Sequence, residues 1–175
     1  MLRSDHQPHL TPGVAAGTHA TSVQGAVAVR RVRADDVPQV FALDERVTGV
    51  AKPDYWQDVF ERYGKHRLNE RFFLVAESVE TEIRPRILGF IIGELRAWEF
   101  GSEPCGWVFA LSVDPRARLL GVGQSLFEAI SVEFKNAGVA KMRTMVARDN
   151  RLHLMFFRSA GMMAGPYIQL EKELD

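Results

Sequence analysis

The sequence predicts an α+β domain built on one mixed, mostly antiparallel sheet of about six strands flanked by about four helices, in the order β-α-α-β-β-β-α-β-α-β. Three observations predict it. Three runs of strand composition follow one another at hairpin spacing in the middle of the chain. Val122, Leu126, Ile130 and Phe134 recur at four-residue intervals, which describes a helix lying against a sheet. The length, 175 residues with 46% hydrophobic composition, suits one domain with a substantial core and not two.

The elements follow in order. Residues 1–26 include "MLRSDHQPHLTPGVAAGTHATSVQG", which is broken by Pro8, Pro12, Gly13 and Gly17 and lacks the apolar centre of a signal peptide; they read as a flexible N-terminal tail. The domain then spans 27–175. "AVAVRRVR" alternates like an edge or near-edge strand, and Asp35 and Asp36 can cap the helix "DVPQVFALDERV", with Pro38 tolerable in its first turn. A second helix, "DYWQDVFERYGKH", carries Tyr55, Trp56, Val59, Phe60 and Tyr63 on one stripe and stops at Gly64. "RFFLVAES" and "RILGFIIGELRAW" form a hairpin across a polar link containing Pro85, and "GWVFALSVD" adds the third antiparallel strand. The helix from Val122 ends at Gly138, "AKMRTMVAR" is a fifth strand, and Asp149 or Asn150 caps "NRLHLMFFRSA", which Gly161 terminates. "YIQLEKEL" gives the last strand.

Composition excludes several classes. The 22 basic residues balance the 22 acidic ones, so no uniform field favours nucleic acid or an anionic membrane as partner. No run approaches the roughly 18 apolar residues of a membrane-spanning helix. The single cysteine, Cys105, rules out an internal disulfide framework, fits a reducing cytoplasm and reads as a small buried apolar residue. His6, His9 and His19 have no metal-ligand spacing, so no metal is expected.

"SVDPRARLLGVGQSLFEAI", residues 112–130, carries the functional signal. Gly121 and Gly123 stand where a loop enters a helix, and the first-turn N–H groups there have no intrahelical partners. Glycine removes the Cβ atoms that keep a ligand from the backbone. Unpaired donors and the positive end of the helix dipole favour phosphate, and Arg118 can add a bidentate contact. A dinucleotide fold would need a tighter turn and a third glycine, but position 126 is Leu126. A Walker loop would need Gly-Lys-Ser or Gly-Lys-Thr, which the chain lacks.

The stretch Arg118-Leu119-Leu120-Gly121-Val122-Gly123, preceded by "LSVDP", resembles the acetyl-CoA motif Arg/Gln-x-x-Gly-x-Gly/Ala of the GCN5-related N-acetyltransferase superfamily. "DNRLHLMFFRSAGM" resembles that family's Asn-initiated helix, and the likeness spans roughly 27–175. It implies a GNAT-like single domain, an N-acetyltransferase that uses acetyl-CoA as co-substrate, and an amine-bearing acceptor, small molecule or protein. It leaves a homodimer open. By the resemblance, Leu111 and Val113 offer backbone groups to the pantetheine arm. Arg118, Leu119, Leu120, Gly121, Val122, Gly123 and Gln124 hold the diphosphate. Asn150 and Phe157 sit across the arm, where two parallel strands splay apart.

The catalytic groups depart from the family pattern. The family's tyrosine acid corresponds to Phe157 and its strand glutamate to Trp107, and neither can exchange a proton. Glu94, Glu99 and Glu103 are the carboxylates in plausible reach, with Glu103 preferred as base because it precedes the strand facing the cofactor. Tyr167 and Tyr63 are the substitute acids, and His153 and His66 read as bystanders. Trp56, Trp98 and Phe100 could wall an acceptor cleft or merely pack; Arg84, Arg86 and Arg96 read as solvated charge. A CoA-binding module without turnover and a nucleotide-binding protein are the competing readings.

Overall fold

The computed structural model describes residues 22–24, 27–79 and 86–174. His6, His9, His19, Arg84 and Pro85 lie outside them. Six strands pair in sequence order: β1 (Ser22–Gln24), β2 (Val27–Arg31), β3 (Arg71–Ser78), β4 (Ile87–Arg96), β5 (Cys105–Val113) and β6 (Met142–Thr144). Every pairing is antiparallel except β5 with β6, which is parallel. The helices are α1 (Val37–Thr48), α2 (Pro53–Val59), α3 (Val122–Asn136) and α4 (Arg151–Ser159).

The sheet is covered on both faces. On one, Val122, Leu126, Ile130 and Phe134 of α3 bury against Phe72, Leu74, Ile91 and Val108. Each such side chain contributes roughly 1.5–3 kcal/mol when fully buried. Phe134 runs over Gly93 and Gly106, where a Cβ would collide with its ring. On the other face, α1 and α2 bury Val40, Leu43, Trp56, Val59 and Phe60 against Phe73, Val75, Phe90 and Ile92. Trp56 belongs to this core, with its indole N–H donating to Asp44 Oδ2 at 2.9 Å, so it walls no cleft. Cys105 is a free thiol, and buried.

Several details differ from expectation. The folded sheet starts at Ser22, within the segment read as a tail, because β1 pairs along β2 and turns β2 from an edge strand into an interior one. Asp36 does not cap α1 with its side chain. Its carboxylate instead accepts from Arg30 Nη1 and Nη2 (2.6 and 3.0 Å) and from Arg33 N–H (2.7 Å), tying β2 to the helix start. The second helix widens after Val59 into a π-helical turn, Phe60–Lys65, that carries Tyr63 toward the sheet. The predicted last strand is absent: residues 167–174 are irregular and exposed and pair with neither the outer edge of β6 nor the open stretch of β5. The observed order is therefore β-β-α-α-β-β-β-α-β-α.

Candidate active site

The site grows from a failure of pairing. β5 and β6 are in register only at Gly106–Met142, Trp107–Arg143 and Val108–Thr144. Beyond these the chains diverge, and a slot of about 110 Å³ opens between Phe109–Leu111 and Thr144–Ala147, closed by Asn150 at the α4 N-cap and by His153 and Phe157 along the helix. This is smaller than the roughly 300–1,000 Å³ that enclose a whole drug-sized ligand. It suits a strip of one.

A bulge decides which backbone groups face the slot. Gly106 N–H donates to Lys141 O on the β6 side, whereas Asp114 N–H donates to Leu88 O on the β4 side. Both residues are even-numbered, so strand periodicity alone would aim them the same way. The register shift at Ile92/Gly93, where Ala110 pairs with Ile92 and Val108 with Gly93, leaves Phe109 as the extra residue and inverts the phase. From there Ala110, Ser112 and Asp114 face β4, and the N–H and C=O of Leu111 and Val113 face the open side of β5, Leu111 within the slot. Ser112 Oγ, between them, is buried and unpaired.

Past Val113 the chain makes a 3₁₀ turn, Pro115–Leu120, held by Asp114. Its carboxylate is fully buried, accepts from Arg116 N–H (2.9 Å) and Arg86 Nη2 (2.7 Å), and lies 3.6 Å from Arg46 Nη2. Burial alone would raise this carboxyl; the Arg116 amide and the two guanidiniums outweigh burial and hold it below the usual carboxylate range. Gly121 turns left-handed (φ 71°) and α3 begins. The first bond into the helix is Ser125 N–H to Gly121 O at 3.0 Å, so the N–H groups of Val122, Gly123 and Gln124 have no intrahelical acceptor. Arg118 is exposed and forms no ion pair among the described residues; Leu119 and Leu120 are exposed beside it. Gly123 has a second role, since a Cβ there would meet Phe156 Cε2 at 3.1 Å.

The structure thus brings Leu111, Asn150 and Phe157 to one slot, while Val113 lies outside its lining, two residues further along β5, and residues 118–124 follow in the turn that leads into α3. It does not bring Glu103 or Tyr167 there. Glu103 is exposed at the opposite end of β5, paired with Lys141 at 3.5 Å. Four strand residues, Cys105 to Val108, lie between it and Phe109, about 13 Å at 3.3 Å per residue. Tyr167 lies in the irregular C-terminal segment under the Arg143 guanidinium, 4.7 Å from its ring centre, beside the paired part of β5 and β6.

Glu94 and Tyr63 occupy the α1–α2 face next to the bulge. Tyr63 Oη donates to Glu94 Oε2 at 2.8 Å, Arg96 Nε donates to Glu94 Oε1 at 3.0 Å, and the Tyr63 ring packs edge-on to Phe109 at 5.1 Å. Burial, then the Glu94 bond and charge, push the Tyr63 hydroxyl up to about 12, so it stays protonated at neutral pH. Trp107 lies under Arg96, 4.4 Å from its guanidinium, and pairs across the sheet with Glu94. Trp98 and Phe100 are exposed on left-handed backbone (φ 61° and 47°) in the following loop. His66 is exposed and Arg86 is spent on Asp114.

Sequence reasoning placed His153 among the bystanders; it lines the slot, with Asn150 Nδ2 2.8 Å from its Nδ1. Nothing in the sequence distinguishes it from a solvated helix residue. No group of three or more potential metal ligands occurs among the described residues, and no helix there is long and apolar enough to cross a membrane.

Comparisons with known proteins agree with this geometry. The model of the acetyltransferase (GNAT) family matches residues 37–162. Mycothiol acetyltransferase from Kocuria rhizophila is 29% identical over 104 residues, 59% of this chain and 34% of that protein, so the chain spans about a third of its relative's length. An aminoglycoside N-acetyltransferase solved in complex with CoA superposes with a TM-score of 0.72 at 16% identity, covering 86% of this chain and 97% of the other. An aminoglycoside 6'-N-acetyltransferase from Acinetobacter baumannii gives 0.69 at 14% identity, covering 85% and 99%. At these identities the solved structures speak for the fold.

Proposed function

The chain belongs to the acetyltransferase (GNAT) family, and from that premise we propose that it transfers an acetyl group from acetyl-CoA to a primary amine. The observation that carries the reading is the unpaired edge of β5 running into an uncapped helix start. An extended amide-bearing arm completes the ladder at Leu111 and Val113. Its diphosphate meets the free N–H groups of Val122, Gly123 and Gln124 and the uncommitted guanidinium of Arg118. The orphaned groups of the slot and its mouth therefore fit acetyl-CoA in kind and in order.

Acetyl-CoA supplies an acetyl group activated as a thioester. The chain's own residues position the acceptor and move protons. An alkyl ammonium with pKa near 10.4 has no lone pair, so a proton must leave before attack. Glu94, whose partner Tyr63 packs on the slot residue Phe109, takes it through water, with Tyr63 and Arg96 holding the carboxylate in place. Glu103 and Tyr167 have no part in this scheme. The acceptor approaches from the α1–α2 face past Trp98, Phe100 and Trp107, and the transfer needs no metal.

Thiol release from acetyl-CoA, followed with a panel of small amines and amine-bearing peptides, tests the proposal. Free thiol is expected only when acetyl-CoA and an acceptor are both present. Tight CoA binding with no release for any amine would favour a binding module without turnover. A melting point raised by ATP or NAD but not by acetyl-CoA would overturn the assignment, since a ligand at 100 times its Kd stabilises by about 2.7 kcal/mol.

A further inference from the structure

Phe157 lines the slot that would receive the thioester in the proposed reading, and its ring offers no proton. It is buried, packed edge-on against Phe127 and Phe156 with ring centres 6.0 and 5.2 Å apart. One turn earlier on the same helix stands His153, its ring tilted against Phe157 at 6.3 Å, and both side chains line the slot.

The tautomer of that ring is set by geometry. Asn150 Oδ1 accepts from His153 N–H at 3.1 Å, the capping bond of α4. That bond fixes which end of the amide is oxygen, and so the group 2.8 Å from His153 Nδ1 is the Asn150 NH₂. An NH₂ only donates, so Nδ1 accepts, and the neutral ring carries its proton on Nε2. The amide of Asn150 is thereby committed at both ends to His153. Nε2 forms no hydrogen bond among the described residues.

We propose that His153 is the hydrogen-bond donor to the departing thiolate sulfur, with Asn150 as the positioning residue that locks its Nε2–H tautomer. The inference rests on the acetyltransferase reading. The amine lone pair forms the C–N bond at the thioester carbonyl carbon, and the nitrogen sheds its remaining extra proton to water. The C–S bond breaks with its electron pair on sulfur. Nε2–H donates to that sulfur as charge develops, and the thiolate takes a proton from solvent after it leaves. His153 ends as it began. A thiolate of pKa near 8.5 needs a donor more than a strong acid, which is why a neutral imidazole suffices.

The test has two arms. In nitrogen-detected NMR of labelled protein, His153 should show a protonated Nε2 and an unprotonated Nδ1, and acetyl-CoA should shift Nε2 far more than Nδ1. A protonated Nδ1 in the neutral ring, or an Nε2 indifferent to the ligand, overturns the proposal. In the second arm, His153→Ala and His153→Asn should each lower kcat at least about tenfold while the acetyl-CoA Kd stays within about threefold. His153→Gln, whose amide nitrogen falls near the place of Nε2, should recover most of the rate. Equal rates for all four proteins, or equal loss of CoA binding in all three variants, would leave His153 a packing residue. Failure of the acetyltransferase reading looks different: the unsubstituted protein would bind no acetyl-CoA, or release no thiol with any amine, whatever the tautomer at His153.

Discussion

Two residues carry tests that separate backbone from side-chain chemistry. Gly121 has φ 71° and open space around the direction a Cβ would take, with no atom within 4 Å. Gly121→Ala therefore costs backbone strain alone, roughly 1–2 kcal/mol for an L-residue in that region, or a fall in Tm of a few degrees in a chain this size. The added methyl stands beside the free amides, so acetyl-CoA affinity should fall at least tenfold. Calorimetry on both proteins decides it, because a lowered Tm with unchanged affinity would mean the diphosphate lies elsewhere. Tyr63 offers an optical readout. One of the chain's three tyrosines should ionise near pH 12 in the folded protein, and Tyr63→Phe should abolish that transition in an absorbance titration. The sign follows: folding holds the proton more tightly, so this contribution to stability is complete below the unfolded pKa near 10 and disappears as pH rises toward 12. A lower midpoint would mean that Tyr63 is solvated and its bond to Glu94 absent.

At the scale of elements, the turn between β5 and α3 depends on Asp114. Its buried carboxylate caps the 3₁₀ turn and pairs with Arg86 and Arg46, so β4, α1 and the helix start share one anion. Asp114→Asn keeps an acceptor for Arg116 N–H but loses the charge, which should cost about 2 kcal/mol, the scale of a hydrogen bond to a charged group. A folded pKa below the unfolded value near 3.9 makes that stabilisation present above about pH 4 and lost as pH falls through the lowered pKa. The gap in Tm between the two proteins should be constant from pH 7 to 5 and narrow as pH falls below 4; a gap that does not narrow with acid would point to packing. Elements of this kind were unequally legible in the sequence. α3 declared itself, because Val122, Leu126, Ile130 and Phe134 have one periodicity and one face. β6 did not: "AKMRTMVAR" has strand composition throughout, yet only Met142–Thr144 pair, and composition cannot show where a partner strand turns away. The bulge at Phe109 was hidden for the same reason, since it exists only in the register between β4 and β5.

Across the whole molecule, the proposed phosphate end of the site was readable because its parts are contiguous, Arg118 to Gln124. The proposed reacting end was not, because Glu94, Tyr63, Phe109 and His153 come from four elements that only the tertiary fold brings near one another: Tyr63 bonds Glu94 and packs on Phe109, and Phe109 shares the slot with His153. The C-terminal segment shows the opposite error: "YIQLEKEL" alternates as a strand should, yet it pairs with no strand, because alternation alone does not bring a segment to a sheet edge. Ile168, Leu170 and Leu174 are 84–88% exposed, and the one ring contact of Tyr167 is with Arg143. Tolerance to truncation follows from burial and bonding, and this segment has little of either. A chain ending at Gly165 should therefore keep its acetyl-CoA affinity within about twofold and its Tm within about 3 °C, because none of the two cores, the slot or the α3 start uses residues 166–175. Thermal denaturation and ligand titration of the shortened chain check both numbers. Loss of folding would show that those apolar side chains are covered in solution, and a concentration-dependent Tm of the full chain would identify the cover as a second copy.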